Sequence, residues 1–542
     1  MKQTYLGTAE KIAEKVGQQS KAQTIAEPKS VTVYELGAVT ALYSVAERLG
    51  ISEIIDRIGG KREQGLRIST YIIIAAINRA VAATSKKTLY EWYEKTVLGR
   101  VFEKTTKKNL SGQGFWNNLR SLDEEKIVEI EDEITKRVVE RYEIKKDSLL
   151  YDNTNFYTYI DTSSPSALAK RGHCKQKRTD LKIIGLSMMV SPDHNIPLFH
   201  EVYPGNTHDA QQFTNVIGKL KARYRKLGKG ECNVTLVFDK GNNNEDNIQE
   251  LIEVEPCPFH FVGGLRLNQC PELLDIDSTE FTALDGDYHG ATAYRSKKNI
   301  YERNLTVLVT SNPELKKAQL EGVLANIASV DKALSDLRER LRLRREGTIT
   351  KGKKPTIESI KKNVANILSA EHMNDIFDYT VSGNPGETPE LIFALNDERW
   401  HTLQERSLGK SILFTDHDDW TNEQIVDAYR SQFHVEDVFK QMKDTKYLSF
   451  RPVRHFTDSQ IRVHAFYCVL ALLLTSLLNR ELHHMGHNLS IRRMLDLLSD
   501  AQQVISVFPL SDVKFTAKTS YSRFDGVTKD YFVKFDLLRF FI

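Results

Sequence analysis

The hydrophobic pattern of this chain changes its period near residue 148, and this change constrains the fold more than any other feature. Upstream, apolar residues recur at helical spacing, for example in the segments 31–58 and 71–83. Downstream, runs rich in β-formers follow one another, with helical patterns at 209–225 and 244–253. Three strands, then a helix, a strand, a helix and a strand, is the order expected of a mixed α/β sheet with helices on its faces. We therefore predict an α/β core behind an all-helical N-terminal domain.

A second pattern interrupts this core. Apolar residues step by three and four from Leu320 to Leu341, and the stepping resumes at Ile357 after the basic link GTITKGKKP. This heptad seam predicts a helical hairpin at 314–372, carried on a strand-rich insertion. The predicted division is a polar tail at 1–30, a helical DNA-binding or dimerisation domain at 31–140, the core at 141–265 and 416–480, the insertion domain at 266–415, and an unassigned C-terminal region at 481–542.

The composition excludes several classes of protein. The 75 basic and 72 acidic residues give a formal charge of +3, so any binding of nucleic acid must depend on local patches. The five cysteines are scattered with no CxxC pair, which favours reduced thiols in a cytoplasmic protein over a disulfide or zinc scaffold. The N-terminus lacks the apolar stretch of a secretory signal, and the longest apolar run, 465–478, is too short to cross a bilayer. We therefore expect no membrane as a partner. No P-loop or GxGxxG motif occurs, so we also expect no nucleotide as a partner.

Three carboxylates occupy positions that suit catalysis. Asp152 lies inside the first strand of the core, where burying a charged side chain costs free energy and is uncommon unless the charge has a partner or a function. Asp239 ends the buried run VTLVF, at the edge where open α/β sheets place ligands. Glu436 lies in the segment DAYRSQFHVEDVFKQMK, which we predict to be a single helix. Each has an ordinary alternative: a turn aspartate for Asp152, a helix cap for Asp239 and a solvated helix face for Glu436.

The segment around Glu436 has a regular spacing. Tyr429, Glu436 and Lys443 are seven residues apart, so on one helix they would share a face. If this helix meets the two strands at the edge of the sheet, the acids at 152, 239 and 436 would form a cluster able to hold two Mg²⁺ or Mn²⁺ ions, because hard cations take oxygen ligands. Two such ions about 3.5 to 4 Å apart stabilise the attacking and leaving oxygens in phosphoryl transfer. The pattern therefore indicates a nuclease-like site.

The chain resembles the DDE transposases of insertion sequences, in the group with the YREK signature and a β-rich insertion before the glutamate. The resemblance covers about 31–478 and rests on Asp152 in its strand, on RGHCKQKRTDLK, PGNTHDAQQF and FDKGNNNEDN, and on the segment with Glu436. The signature maps onto Tyr429, Gln432, Glu436 and Lys443, with Gln432 where the family has arginine. The resemblance implies an RNase H-like core, dependence on Mg²⁺, cleavage at the ends of a mobile element and transfer of the freed 3′-OH into target DNA. It also implies double-stranded DNA as the partner and a homodimer in the DNA complex.

Local basic patches suit such a partner. Six positive charges fall within 170–182, and a second group lies in 219–226. These residues would neutralise phosphates and supply affinity that depends on salt but not on sequence, although a solvated surface is the common alternative. Trp400 in the insertion is a candidate for stacking on an unpaired base, with a core or rim tryptophan as the alternative. The residues expected to contact DNA are Tyr429, Gln432, Lys443, Lys175, Lys177, Arg178 and Trp400.

Three hypotheses about function follow. The first is an active cut-and-paste transposase in the cytoplasm, associated with the nucleoid. The second is a transposase-derived DNA-binding protein without cleavage, which the intact acids at 152, 239 and 436 disfavour. The third is a carboxylate-pair hydrolase such as a glycosidase, which would need an aromatic sugar cleft, whereas the lysine-rich surroundings of Asp152 suit a polyanion.

Overall fold

The computed structural model describes residues 27–60, 65–145, 147–161, 163–172, 178, 180–227, 234–253, 259–384, 386–509, 515–524 and 526–541. The strands are β1 (Ser30–Glu35), β2 (Ser148–Tyr157), β3 (Ile183–Ser191), β4 (Ile196–Pro204), β5 (Thr235–Phe238), β6 (His260–Leu265), β7 (Thr282–Ala283), β8 (Thr292–Ile300), β9 (Arg303–Ser311), β10 (Phe377–Ser382), β11 (Glu390–Leu395), β12 (Lys410–Thr415), β13 (Gln502–Pro509) and β14 (Phe515–Tyr521).

The helices precede, cover and follow the sheet. They are α1 (Gly37–Arg48), α2 (Ile51–Gly59), α3 (Ile68–Val81), α4 (Leu89–Tyr93), α5 (Leu98–Val101), α6 (Lys107–Leu110), α7 (Gly112–Leu119), α8 (Glu124–Tyr142), α9 (Asp209–Leu227), α10 (Glu245–Glu253), α11 (Pro313–Arg345), α12 (Ile357–Ile367), α13 (Met373–Ile376), α14 (Asp397–Arg406), α15 (Asn422–Arg430), α16 (Phe433–Met442), α17 (Asp458–His484), α18 (Ile491–Ser499) and α19 (Gly526–Lys534).

Within the described residues, nine strands form one sheet in the order β4-β3-β2-β5-β6-β12-β9-β8-β7. Strands β2, β3 and β4 are antiparallel neighbours, whereas β5 runs parallel to β2 and β6 runs parallel to β5. Every residue of β3 and β5 is buried, as expected of central strands covered on both faces. Three antiparallel strands followed by two parallel ones form an RNase H-like core. The predicted α/β fold class is confirmed.

The segment predicted as an insertion contributes strands to this same sheet. Strand β12 pairs antiparallel with both β6 and β9, so that Leu413 lies between Gly264 and Leu308. This pairing covers the edge of β6, which would otherwise present unpaired backbone groups. Helices α11 and α12 instead form a second core, in which the predicted seam residues Val330, Leu334 and Val364 are buried.

The N-terminal region is not all-helical, which corrects the prediction for 31–140. Its first element is strand β1, which pairs antiparallel with β13 so that Val33 lies opposite Val504. Val31 and Val33 are exposed. Their spacing therefore does not mark the buried face of a helix, as the helical interpretation of 31–58 requires. The partner strand lies near the other end of the chain, in the region left unassigned, and no local pattern specifies such a pairing. The polar tail predicted at 1–30 lies outside the described residues except for 27–30.

The longest apolar run forms most of α17. This is the one helix in the described part of the chain that is long and apolar enough to cross a membrane, and 94% of its apolar window is buried inside the protein. Its residues from Ala465 to Leu478 pack against α3 and β4. The prediction of a buried helix at 465–478 is confirmed, and this degree of burial is typical of a core helix.

Candidate active site

Two of the three predicted acids lie side by side because of the register between parallel strands. Tyr151 in β2 is paired with Phe238 at the end of β5, so the next residues, Asp152 and Asp239, lie at one edge of the sheet. Both side chains are half-buried. Strand β2 continues past β5, where Asn153 Nδ2 donates a hydrogen bond to Asn242 Oδ1 at 3.1 Å. This bond ties the strand carrying Asp152 to the loop that follows Asp239.

The phenol of Tyr429 joins helix α15 to this edge. Its hydroxyl donates a hydrogen bond to Asp239 Oδ1 at 3.2 Å. Burial, followed by the carboxylates of Asp239, Glu436 and Asp152, raises the pKa of Tyr429 well above its usual range. The phenol therefore stays protonated, and the three acids are close enough to act on it together.

Gly264 makes room for this phenol. A Cβ atom at Gly264 in β6 would lie 2.5 Å from the hydroxyl oxygen of Tyr429 and 3.0 Å from its Cζ, closer than a side chain tolerates. Asn243 Nδ2 donates to the backbone carbonyl of Gly264 and fixes the loop after Asp239 to the same strand. We did not predict roles for Gly264 or Asn243; the paired glycines in PFHFVGG were the available signal.

Glu436 does not share one continuous helix with Tyr429, which corrects the prediction. Helix α15 ends at Arg430 and α16 begins at Phe433. At the junction, Ser431 Oγ donates to the carbonyl of Ala428 at 2.6 Å, and the Gln432 amide donates to the carbonyl of Tyr429 at 3.1 Å. The turn is thereby tightened, because serine competes for helical carbonyls.

The new junction changes the environment of the signature residues. Glu436 lies in the first turn of α16 with its side chain exposed, while Val435, Val438 and Phe439 bury the opposite face of the helix. Gln432 is only 8% exposed, and its Nε2 atom has no hydrogen-bond partner among the described residues. The exposed DNA-facing amide expected at this position is therefore buried in the structure.

Lys443 reaches the strand that carries Asp152. Its Nζ donates to Thr154 Oγ1 at 2.5 Å and lies 5.6 Å from the centre of the Phe156 ring. Thr154 is two residues beyond Asp152, so both side chains point to the same face of β2. The ammonium group of Lys443 therefore lies beside the acids.

The other residues expected to contact DNA lie elsewhere or outside the description. Lys175 and Lys177 belong to the part of the chain that the structure does not describe. Arg178 is exposed and pairs with Asp180 through two hydrogen bonds of 2.6 Å. Trp400 in α14 is half-buried and packs against the second core, which supports its alternative as a rim tryptophan.

The donor set suits hard divalent cations, since carboxylate oxygens are the ligands they prefer. The three acids are not all within one ion's reach, because the single group of three histidine or acidic residues whose ligand atoms lie within 4.8 Å in the described chain is His260, Asp416 and His417. A pair of ions needs less than this, because no single ion has to contact all three carboxylates. The residues present therefore fit such a pair of ions.

Comparison with known proteins identifies the family. A family model described as a transposase DDE domain matches residues 145–474, which is more than half of the chain and includes all three acids. The chain belongs to the family of DDE-domain transposases, whose members generally use a divalent metal ion. A comparison with curated proteins gives no match.

Two solved structures are similar to this chain at low identity. The cryo-EM structure of the piggyBac transposase synaptic complex with hairpin DNA is 12% identical over 89% of this chain and 81% of that one, with a TM-score of 0.39. The Mos1 transposase paired-end complex with its left transposon end is 15% identical over 35% of this chain and 57% of that one, with a TM-score of 0.14. Both TM-scores are below 0.5, so the assignment rests on the family match and on the sheet order.

Proposed function

We propose that the protein is an active DNA transposase that cleaves DNA at the ends of a mobile element and joins the freed 3′-OH to target DNA. The observation that carries the proposal is geometric: the register of β2 and β5 places Asp152 beside Asp239, and Tyr429 of α15 donates a hydrogen bond to Asp239. Two neighbouring strands and a helix distant in sequence supply the three acids at 152, 239 and 436, and phosphoryl transfer on DNA is the chemistry that such a carboxylate set serves.

In this proposal Asp152, Asp239 and Glu436 hold two Mg²⁺ or Mn²⁺ ions. When bound, the ions would stabilise the attacking and leaving oxygens of the transferred phosphate. Tyr429 orients the Asp239 carboxylate through its hydrogen bond. Lys443, held against Thr154, presents a positive charge to a phosphate of the same DNA end.

The proposed partner is double-stranded DNA, comprising the terminal inverted repeats and the target, bound by a homodimer. Basic residues beside β2 support this proposal: Lys170, Arg171 and Arg178 are exposed, and Lys182 is half-buried. Their charges would contribute affinity without reading sequence. We place the protein in the cytoplasm with the nucleoid, where its substrate is.

The test is cleavage of a duplex carrying the inverted repeats found beside the gene. Alanine at position 152, 239 or 436 should each abolish Mg²⁺- or Mn²⁺-dependent cleavage while binding of the same duplex persists, since each acid would hold metal rather than phosphate. The matched control is Asp437→Ala, because Asp437 adjoins Glu436 but accepts hydrogen bonds from Asn195 and Gln441 instead. Asp437→Ala should still cleave.

The two leading hypotheses give opposite results in this assay. Cleavage by the unaltered chain that each of the three acid variants loses would support the transposase. Tight binding to the repeats by the unaltered chain without any cleavage would instead support a DNA-binding protein that has lost its activity. Normal cleavage by any one acid variant would remove that residue from the site.

A further inference from the structure

A cluster of two histidines and an aspartate lies at the end of the sheet opposite the acids. His260 is the first residue of β6, and Asp416 and His417 directly follow the end of β12. The antiparallel pairing of these strands brings the three together, and one ligand atom from each lies within 4.8 Å of the others. Neither the proposed cleavage nor the DNA contacts use this cluster.

His417 is held in a definite orientation. Its Nε2 atom lies 2.7 Å from Thr235 Oγ1, and its backbone amide donates to Thr415 Oγ1 at 3.0 Å. The imidazole stacks on the indole of Trp420, with 3.8 Å between ring centres and 9° between ring planes. In the tautomer whose Nε2 donates to Thr235, Nδ1 keeps its lone pair, and this atom lies 3.9 Å from Asp419 Oδ1. A hydrogen bond from the second nitrogen is the arrangement that orients imidazole ligands in metal sites.

Asp416 is oriented in a similar way. Its Oδ1 atom accepts a hydrogen bond from the amide of Phe261 at 2.9 Å, which leaves Oδ2 directed toward His260 Nδ1 at 2.8 Å. The rings of His260 and His417 lie 4.4 Å apart.

We propose that His260, Asp416 and His417 bind a divalent cation of the zinc class, with Asp419 as an available fourth ligand. Imidazole nitrogens suit Zn²⁺, whereas Mg²⁺ prefers oxygen ligands alone, so this site and the acids would select different ions. Zinc bonds of about 2.0 to 2.1 Å in a tetrahedral site bring ligand atoms to roughly 3.3 Å from one another. The side chains of His260 and Asp419 are 42% and 87% exposed, so they are free to make this approach.

The ion would have a structural role. It would join β6, which precedes the insertion, to the segment between β12 and α15, which follows it. Strand β5 has four residues, about 13 Å at roughly 3.3 Å per residue, and it separates Thr235 beside this cluster from Asp239 at the acids. The ion would therefore hold the start of the helix that carries Tyr429 without touching the reacting DNA.

Zinc alone is the probe for this proposal. The full chain with Asp152→Asn and Asp239→Asn removes metal binding at the acids, and a chelator strips any metal carried through purification. Competition with a chromogenic zinc chelator should then show one tight equivalent of Zn²⁺ and no comparable binding of Mg²⁺. Zinc should also raise the Tm of this chain, because a ligand that binds only the folded state stabilises it.

Further variants of the chain with Asp152→Asn and Asp239→Asn test whether the tightly bound Zn²⁺ belongs to the cluster of His260, Asp416 and His417. His260→Ala should weaken this binding by at least 100-fold, as should Asp416→Asn, which preserves side-chain size if the first variant folds poorly. His483→Ala is the matched control, since His483 contacts His194 in a separate histidine-rich region. The site is supported if His260→Ala and Asp416→Asn lose the tightly bound Zn²⁺ and His483→Ala keeps it. Absence of a tight equivalent, or equal binding by His260→Ala and the parent chain, would overturn it and leave a closed hydrogen-bonded cluster.

Discussion

Tyr429 and Asp239 are joined by a hydrogen bond of 3.2 Å between a helix that follows the insertion and a strand that precedes it. The bond closes the core around the inserted segment. Burial, together with the neighbouring carboxylates, raises the pKa of the phenol, so it remains a protonated donor to Asp239 at neutral pH. The relationship makes Tyr429 a positioning residue for the candidate metal ligand.

We expect Tyr429→Phe to slow metal-dependent cleavage by about 10- to 100-fold, the usual cost of losing a group that orients a metal ligand. The concentration of Mg²⁺ that gives half the maximal rate should rise, while affinity for uncleaved DNA stays the same. A Mg²⁺ titration of the cleavage rate measures both. Tyr288→Phe is the control, because that hydroxyl donates to Asp427 on the same helix, at 2.7 Å. Equal effects of the two changes would contradict the role of Tyr429.

Gly264→Ala should impair the same step by steric displacement. The added methyl group would lie 2.5 Å from the Tyr429 hydroxyl, so the phenol must move away from Asp239. We expect cleavage to fall at least as far as in Tyr429→Phe, and the double variant to be little worse than Gly264→Ala alone, since both act through one bond. Gly218→Ala on α9 is the control because its Cβ would meet open space. Additive losses of cleavage rate in the double variant would show that Gly264→Ala does not act through the hydrogen bond between Tyr429 and Asp239.

Lys443→Ala should weaken binding of a pre-cleaved element end more than binding of a scrambled duplex. If the ammonium group contacts one phosphate, the slope of log affinity against log salt should become shallower by about 0.9. Binding measured across a salt series gives this slope for both DNAs. Lys440→Ala provides the comparison, since Lys440 is an exposed lysine in the last turn of α16 that lines a different cavity, together with Asp437 and Asp444. An unchanged slope for Lys443→Ala would mean that this residue faces protein only.

A buried ion-pair network joins the N-terminal helices to the core, and Glu131 lies at its centre. Arg223 donates to Glu131 Oε2 at 2.6 Å, and His200 bonds to the other oxygen. Glu131→Gln should destabilise the fold by about 1.5 to 3 kcal/mol, because it removes one of the two carboxylates bound to the buried Arg223. The other carboxylate, Asp132, still accepts a hydrogen bond from Arg223 Nε at 2.5 Å. Urea unfolding measures this loss. Exposed Glu129→Gln should change stability by less than about 0.5 kcal/mol, and a similar small effect at 131 would contradict the prediction.

The same network predicts a dependence on pH. Although burial alone would raise the pKa of Glu131, the charges of Arg223 and His200 lower it below its ordinary value of 4.5. The stabilisation is therefore complete above about 4.5 and is lost as the pH falls through the lower value of the folded state. The difference in unfolding free energy between the parent chain and Glu131→Gln should shrink as the solution is acidified below pH 4.5.

The local hydrophobic pattern determined most of the elements. The change of period at 148 predicted the order of strands and helices in the core, because burial on one face of each element leaves its spacing in the sequence. The heptad stepping likewise predicted α11 and α12, whose seam residues form the second core. The sequence singles out Asp152 because a charge within a buried strand is unusual, and Asp239 because it ends a buried run. The strands that carry or precede them are as expected.

Tertiary structure decided which of these residues meet. The register of β2 against β5 places Asp152 beside Asp239, and Gly264 gives space to the phenol of Tyr429. The packing at the junction between α15 and α16 buries Gln432. His260 and Asp416 are separated by 156 positions and meet only through strand pairing. The physical reason is that register, close approach and long-range pairing depend on the packing of whole elements, whereas sequence periodicity reports only which face of each element is buried.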